Sequence, residues 1–457
     1  MKETFRLAIE AEDNPIFQGL FSALNSEPVV SIRFNRHKTS TNQSSLLTEL
    51  GEKVPWEEAG YYLPTRPSFT LDPLFHQGMY YVQDASSMIL GEIARRLSAQ
   101  TRHRPLFVLD SCAAPGGKTT AVTDNLPQGS AMIANEYDFR RAEILKENIY
   151  KWGCANVAVS RGDTRQFQNM AEVFDIIIAD LPCSGEGMFR KDKVAREQWS
   201  EQLVNQCADI QKVIIGNLIP SLKKGGYLIY STCTFNSHEN EKNVAFLCEK
   251  YGLKTVDMEL AGLYGIEKGI IDGLHCLRFL PSRLKGEGLF VSVLTTEAPS
   301  STDVYSQISN RPVSRQNGDY NNTLNAIDGW TKNLTIRKVG NILWGMTPAL
   351  NTLIRLAEAK KIHLYTYGTE IAQLKGSDVV PSHSLALSQS LNINAFPHID
   401  IDKDTALNFL RKGNITLPDV TPTGYVLICY NNAPLGFVKN IGKRANNLLP
   451  KEWKIRI

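Results

Sequence analysis

No uninterrupted run of about 18 apolar residues occurs in the sequence, so no membrane-crossing helix is expected. The opening residues, MKETFRLAIEAEDNP, are charged throughout and lack the apolar core of a secretory signal. The eight cysteines form no C-x-x-C pair and have no matching histidine spacing. That excludes the usual zinc patterns and a disulfide framework, so no metal is expected and the setting is a reducing, cytoplasmic one. No internal repeat is present. Net charge is also scarce, at +3, but it is unevenly spread. Residues 330–457 hold 16 Lys and Arg against 8 Asp and Glu, while residues 1–329 hold 34 against 39. A basic C-terminal part suggests either a module that meets a polyanion or an uneven solvated surface.

What is present is strand–helix alternation. From Pro105 to Thr296, the apolar runs PLFVLD, SAMIANE, VAVSRGD, FDIIIAD and GYLIYST alternate with helical stretches such as FRRAEILKENIYKWG. Leu203, Cys207, Ile210, Ile214 and Leu218 form a helical stripe expected to face the sheet. This pattern predicts a parallel α/β sheet covered by helices. RFLPSR and GEGLFVSVLTT read as two closing strands, so the whole resembles a class I, Rossmann-like methyltransferase fold. Residues 1–104 read as a small N-terminal region with a starting helix and a strand, EPVVSIRFN. Residues 105–296 form the α/β domain, and the polar residues 297–329 a linker. In an intermediate region, 330–395, TPALNTLIRLAEAKKIHLYTYG reads as a helix followed by a strand. In a small α+β or barrel region, 396–457, TGYVLICYNNAPLGFVKN reads as a hairpin turning at Asn431-Asn432.

In an open α/β sheet, ligands sit at the carboxyl ends of the strands. The first strand runs into LDSCAAPGGKTT, Leu109 to Thr120, whose small residues Ala113, Ala114, Gly116 and Gly117 let a ligand approach the backbone. It matches neither G-x-G-x-x-G nor G-x-x-x-x-G-K-[ST]. The second strand ends in Glu136, nineteen residues after Gly117, where an acid is placed to accept from ribose hydroxyls. The third ends in Asp163, which suits either a nucleoside base or a helix cap. The fourth ends in Asp180, followed by Leu181-Pro182-Cys183-Ser184-Gly185, and the fifth in Ser-Thr-Cys-Thr around Cys233. Alone, Cys233 reads as a small buried thiol. Beside Asp180 and Cys183 it forms a constellation. Cys207 and Cys248 read as core.

Such a set suits a cytosine ring. A thiolate that adds to C6 makes C5 an enamine carbon able to take a methyl group from a sulfonium, one hard step divided into easier ones. Asp180 would orient the ring, and Lys118, Arg190 or Lys191 could supply positive charge, although Arg190-Lys191 also reads as a solvated loop or a phosphate contact. On chemistry alone either cysteine could attack.

CAAPGGKT, DLPCSGEG and STCT, in this order, resemble the Sun-type RNA cytosine-C5 methyltransferases. SIRFNRHK, GYYLPTRPSFTLDPLFHQGMYYVQDASSM and RFLPSRLKGEGLF extend the resemblance over about residues 25–295. The tail PLGFVKNIGKRANNLLP is similar to that of the bacterial 16S ribosomal-RNA methyltransferase F subgroup, which carries a PUA-like RNA-binding domain. The resemblance implies S-adenosylmethionine (SAM) as cofactor, held by the loop Cys112, Ala113, Ala114, Pro115, Gly116, Gly117 and Lys118. It implies that Glu136 meets the ribose, Asp163 the adenine, and Asp180 the region between cofactor and base. It makes Cys233 the nucleophile and Cys183 the residue that assists release. It implies an RNA partner, small-subunit ribosomal RNA or the assembling small subunit, and a monomeric enzyme. Leu181 and Ser282 depart from the alanine and histidine common there. Lys439, Lys443 and Arg444 are candidate phosphate contacts or ordinary surface charge. A transfer-RNA methyltransferase, a DNA cytosine-C5 enzyme using Cys183, a small-molecule methyltransferase and a non-catalytic RNA binder are the competing readings.

Overall fold

The computed structural model describes residues 2–38, 50–296, 324, 325, 327, 329–376 and 378–456. The expected linker, 297–329, lies almost wholly outside the described residues. Helices α1 (Glu3–Glu10) and α2 (Leu20–Leu24) precede a three-stranded antiparallel sheet. Its strands are β1 (Val30–Phe34), β2 (Gly60–Leu63) and, after the short helix α3 (Pro73–His76), β3 (Tyr80–Val82), in the order β2-β1-β3. Helix α4 (Ala85–Gln100) follows; the Asp84 carboxylate caps it by accepting from the Ser87 N–H.

Nine strands make the central sheet. In chain order its elements are β4 (Phe107–Asp110), α5 (Gly117–Thr123), β5 (Ala131–Glu136), α6 (Phe139–Trp152), β6 (Val157–Arg161) and β7 (Phe174–Asp180). They continue with α7 (Lys193–Gln198), α8 (Glu201–Leu218), β8 (Leu222–Thr232), α9 (Glu241–Tyr251) and β9 (Leu253–Thr255). Strands β10 (Glu267–Lys268), β11 (Cys276–Phe279) and β12 (Leu289–Thr296) close it. The order is β10-β11-β12-β8-β7-β4-β5-β6, with β9 also pairing β12. Strands β4 to β8 pair in parallel, and β12 runs antiparallel to β8. The strands read as continuous apolar runs because both faces are covered. On β7, Ile176 and Ile178 pack into one core with Met88, Ile93 and Leu145, while Ile177 and Ala179 face another with Leu218 and Leu350.

The C-terminal part holds two four-stranded sheets. The first joins β13 (Thr335–Val339), β14 (Ile342–Met346), β15 (Thr369–Lys375) and β16 (Asp378–Pro381), with α10 (Pro348–Ala359) inserted. After α11 (His383–Ala386), the second joins β17 (His398–Asp400), β18 (Gly424–Tyr430), β19 (Ala433–Asn440) and β20 (Ala445–Asn447), with α12 (Lys403–Leu410) between β17 and β18. The Asn431-Asn432 turn has φ of 52° and 59°, the left-handed region that asparagine tolerates better than most residues. Leu343 and Ile371 share one core with Leu427 and Phe437, so the two sheets pack together.

HLYTYG is not the strand that the sequence suggested. The strand begins at Thr369, and residues 363–366 instead dock on the open edge of β6. Leu364 bridges Ser160, and Tyr365 and Thr366 both donate their N–H to the Val159 carbonyl, at 2.7 and 3.0 Å. The Arg33 guanidinium ties β1 to α5. It donates to Gln83 (2.9 Å), to the Asp124 carboxylate (2.7 Å) and to the Thr120 hydroxyl (2.6 Å), and lies 4.4 Å from the Trp152 ring centre.

Candidate active site

The carboxyl ends of β4 to β8 converge on a cavity of about 700 Å³. Cys112, Glu136, Asp163, Asp180, Cys183 and Cys233 line it. Ala113, Ala114, Pro115, Gly116 and Gly117 do not; they form the turn behind Cys112. That turn is fastened by Ala113 N–H to the Asn135 carbonyl (2.8 Å) and by Arg141 to the Ala114 carbonyl (2.8 Å). Gly116 has φ 108°, a conformation that strains any L side chain.

At the end of β5, Glu136 is buried, and one oxygen accepts from the Asp138 N–H at 3.0 Å. Its other oxygen is buried with no hydrogen-bond donor, and Arg141 stands 3.6 Å away. A buried carboxylate oxygen without a donor beside a cavity suits a ligand hydroxyl, which fits the ribose of SAM. Asp163 is more committed than the sequence suggested. It caps the turn after β6 by accepting from the Arg165 N–H (2.8 Å) and pairs with that arginine's side chain (3.0 Å).

Asp180 ion-pairs with Lys118 and accepts from the Ser231 hydroxyl at 2.9 Å. Burial opposes the charge on Lys118, and the Asp180 carboxylate more than restores it, so the ammonium is held above its usual range. Because β7 and β8 are adjacent, Cys183 and Cys233 meet with their sulfurs 3.2 Å apart. The Cys233 N–H also reaches the Cys183 sulfur at 3.3 Å. Either sulfur can donate across this contact; with Cys183 as the donor, the shared hydrogen bond pulls the Cys233 thiol down and pushes Cys183 well up. Burial works against the Cys233 thiolate, and the Lys118 ammonium works for it.

Beneath the cysteines lies a buried polar network whose pairing the sequence does not show, although Glu186 stands within DLPCSGEG. Glu186 accepts from the backbone N–H of Phe235 (2.7 Å) and Asn236 (3.0 Å) and from the Trp199 indole (2.9 Å). Glu239 accepts from the Ser184 N–H (3.0 Å) and from Gln211 (2.9 Å). The two carboxylates therefore lock the Cys183 loop to the Cys233 loop. Gly187 passes directly under Cys233 and donates to its carbonyl at 2.9 Å; a Cβ there would stand 2.6 Å from the Gly288 carbonyl. Arg190, read as solvated or phosphate-binding, is instead buried on Glu287 (3.0 Å) and the Gly286 carbonyl (2.7 Å). Lys439 pairs with Asp378 at 2.5 Å, while Lys443 and Arg444 are exposed.

The sequence also misplaced one wall. The buried face of α8 runs through Val204, Cys207, Ala208, Gln211, Ile215 and Leu218. Ile210 and Val213 are 49% and 63% exposed and line the cavity. They offer an apolar surface where an aromatic base can lie. Leu181 packs in the core.

The sheet order and the cavity at its strand ends define a class I SAM-dependent methyltransferase. Residues 97–295 match the profile of 16S rRNA methyltransferase RsmB/F, residues 3–85 that of the N-terminal domain of 16S rRNA methyltransferase RsmF, and residues 396–455 that of the methyltransferase RsmF PUA domain. Ribosomal RNA small subunit methyltransferase F of Shewanella piezotolerans is 30% identical, with 94% of this chain and 92% of that protein covered. The protein of the same name from Escherichia coli O1:K1 is 31% identical, with 92% and 89% covered. Among solved structures, NSun6 from Pyrococcus horikoshii with SFG has a TM-score of 0.53 at 21% identity, covering 65% of this chain and 98% of that one. A methyltransferase homolog from the same organism has a TM-score of 0.52 at 22% identity, covering 65% and 100%. These two establish the fold. The chain belongs to the 16S rRNA methyltransferase RsmB/F family.

Proposed function

We propose that this protein methylates C5 of a cytosine in small-subunit ribosomal RNA, acting as a monomer in the cytoplasm. The observation that carries the chemistry is the pair of sulfurs, 3.2 Å apart, at the ends of adjacent strands beside Asp180 and Lys118. The names of the relatives support the choice of RNA. Bound SAM supplies an electrophilic methyl group. Cys112, Glu136 and the apolar wall of Ile210 and Val213 hold the nucleoside half of that cofactor. The Cys233 thiolate adds to C6, and Asp180 holds the N3 and amine edge of the ring. C5 then carries the nucleophilic electron pair. Once C5 carries the methyl group, a solvent water takes the C5 proton as base, the C5–H electron pair re-forms the C5–C6 double bond, the C6–sulfur pair leaves with Cys233, and the Cys183 S–H stabilises that departing thiolate.

The test is direct. Small subunits from cells lacking the protein are incubated with the enzyme and methyl-tritiated SAM, and the RNA is digested to nucleosides. Label in 5-methylcytidine is the expected result; label in another nucleoside, or in none, overturns the proposal. Glu136→Gln is expected to weaken SAM binding roughly 10- to 100-fold, the worth of a charge-assisted hydrogen bond, as read by calorimetry. Unchanged affinity would remove Glu136 from the cofactor site.

A further inference from the structure

A second and larger hollow opens between the N-terminal lobe and residues 189–196, with a volume of about 1180 Å³. It exceeds the usual range of small-molecule pockets, about 300–1,000 Å³. Arg66, Arg190, Lys191, Lys193, Arg196 and Lys285 line it, with Glu27 and Glu52 the acids among the described residues. Four of these cations are already used. Arg190 and Lys191 are held by Glu287, Arg196 donates to the Phe189 and Leu24 carbonyls, and Lys285 pairs with Glu52 at 2.5 Å. They build the walls. Arg66, from the N-terminal lobe, and Lys193, from the start of α7, are both exposed. Among the described residues neither has a carboxylate partner; Arg66 only rests on the Phe69 ring at 5.5 Å. Two cations without a carboxylate partner among the described residues, one from each lobe, thus line one groove.

One wall of the groove is continuous in sequence with the loop that passes beneath Cys233. That wall begins at Phe189, two residues after Gly187, which is hydrogen-bonded to the Cys233 carbonyl. Pro28, Val29 and Pro64 add apolar surface suited to sugars and bases. A flipped or looped nucleotide needs its neighbours held by their backbone, since phosphate contacts position a strand without reading it.

We infer that this groove holds the single RNA strand flanking the target cytosine, with Arg66 and Lys193 each meeting a backbone phosphate. The inference rests on the RNA substrate proposed above. It is tested on the full chain with a fluorescent single-stranded oligoribonucleotide carrying one central cytosine. The double variant Arg66→Ala/Lys193→Ala should bind it about tenfold more weakly at low salt. The slope of log affinity against log salt should become shallower by about 1.4, roughly 0.7 per lost phosphate contact. SAM affinity should stay as it is, and Lys224→Ala, at the opposite end of β8, should change neither quantity. An unchanged affinity and slope in the double variant would overturn the groove, as would displacement by polyglutamate but not by unlabelled RNA. If the wild type binds RNA through the groove yet methylates no cytosine, the substrate proposal falls and the groove stands. If it methylates cytosine and the double variant binds normally, the groove alone falls.

Discussion

Cys233→Ala is expected to lower methyl transfer by more than about 1000-fold, the scale of losing a covalent nucleophile. Cys183→Ala is expected to behave differently: the enzyme should accumulate an RNA–protein adduct that survives denaturation, seen as a slow band on a denaturing gel. The reason is the shared proton. With the Cys183 S–H as the donor across 3.2 Å, the Cys233 thiol is the one lowered, and the proposed attack falls to it. Removing the donor has a second, signed effect. The Cys233 thiolate loses its stabilising hydrogen bond, its pKa rises, and adduct formation in Cys183→Ala should move to more alkaline pH. An adduct formed by Cys233→Ala but not by Cys183→Ala would exchange the two roles.

The second large effect falls on stability. Arg33→Met is expected to cost about 3–5 kcal/mol, because it strands a buried carboxylate. The Arg33 and Asp124 side chains are only 1% and 3% exposed. Burial holds the Asp124 carboxyl above its usual range, and the Arg33 charge, ahead of the Trp152 indole, works against that rise. Arg33→Lys should rescue little, since a single ammonium cannot reach Gln83, Asp124 and Thr120 together. Thermal melting with and without SAM is the measurement. The ligand-free melting temperature should drop clearly in both variants. An unchanged melting temperature in Arg33→Met would show that the network contributes nothing net.

The central strands were legible because a strand buried on both faces spells itself as an unbroken apolar run, as FDIIIAD does. The Glu136 position was legible because it depends on one local spacing from Gly117. Arg33 was not, because its partner lies 91 residues along the chain. Nothing local in the sequence shows that Glu186 and Glu239 are buried; their burial depends on N–H groups supplied at Ser184, Trp199, Gln211 and Phe235–Asn236. On α8 two interleaved sets of apolar residues fit a helical period, and only the packed sheet shows that Val204, Ala208 and Ile215 turn inward while Ile210 and Val213 face the cavity. The Asn431-Asn432 hairpin was legible because its turn chemistry is local. The edge seat of residues 363–366 was not, because it borrows the Val159 carbonyl from a strand two hundred residues earlier.

That seat has a mechanical meaning. The stretch after α10 is stitched into the margin of the catalytic sheet by Leu364, Tyr365 and Thr366, and α10 itself closes over that sheet with Leu350, Leu353 and Ile354. The C-terminal lobe is therefore joined to the catalytic sheet by backbone hydrogen bonds and a shared apolar core. Trimming that lobe away would strip the catalytic sheet of part of its own roof.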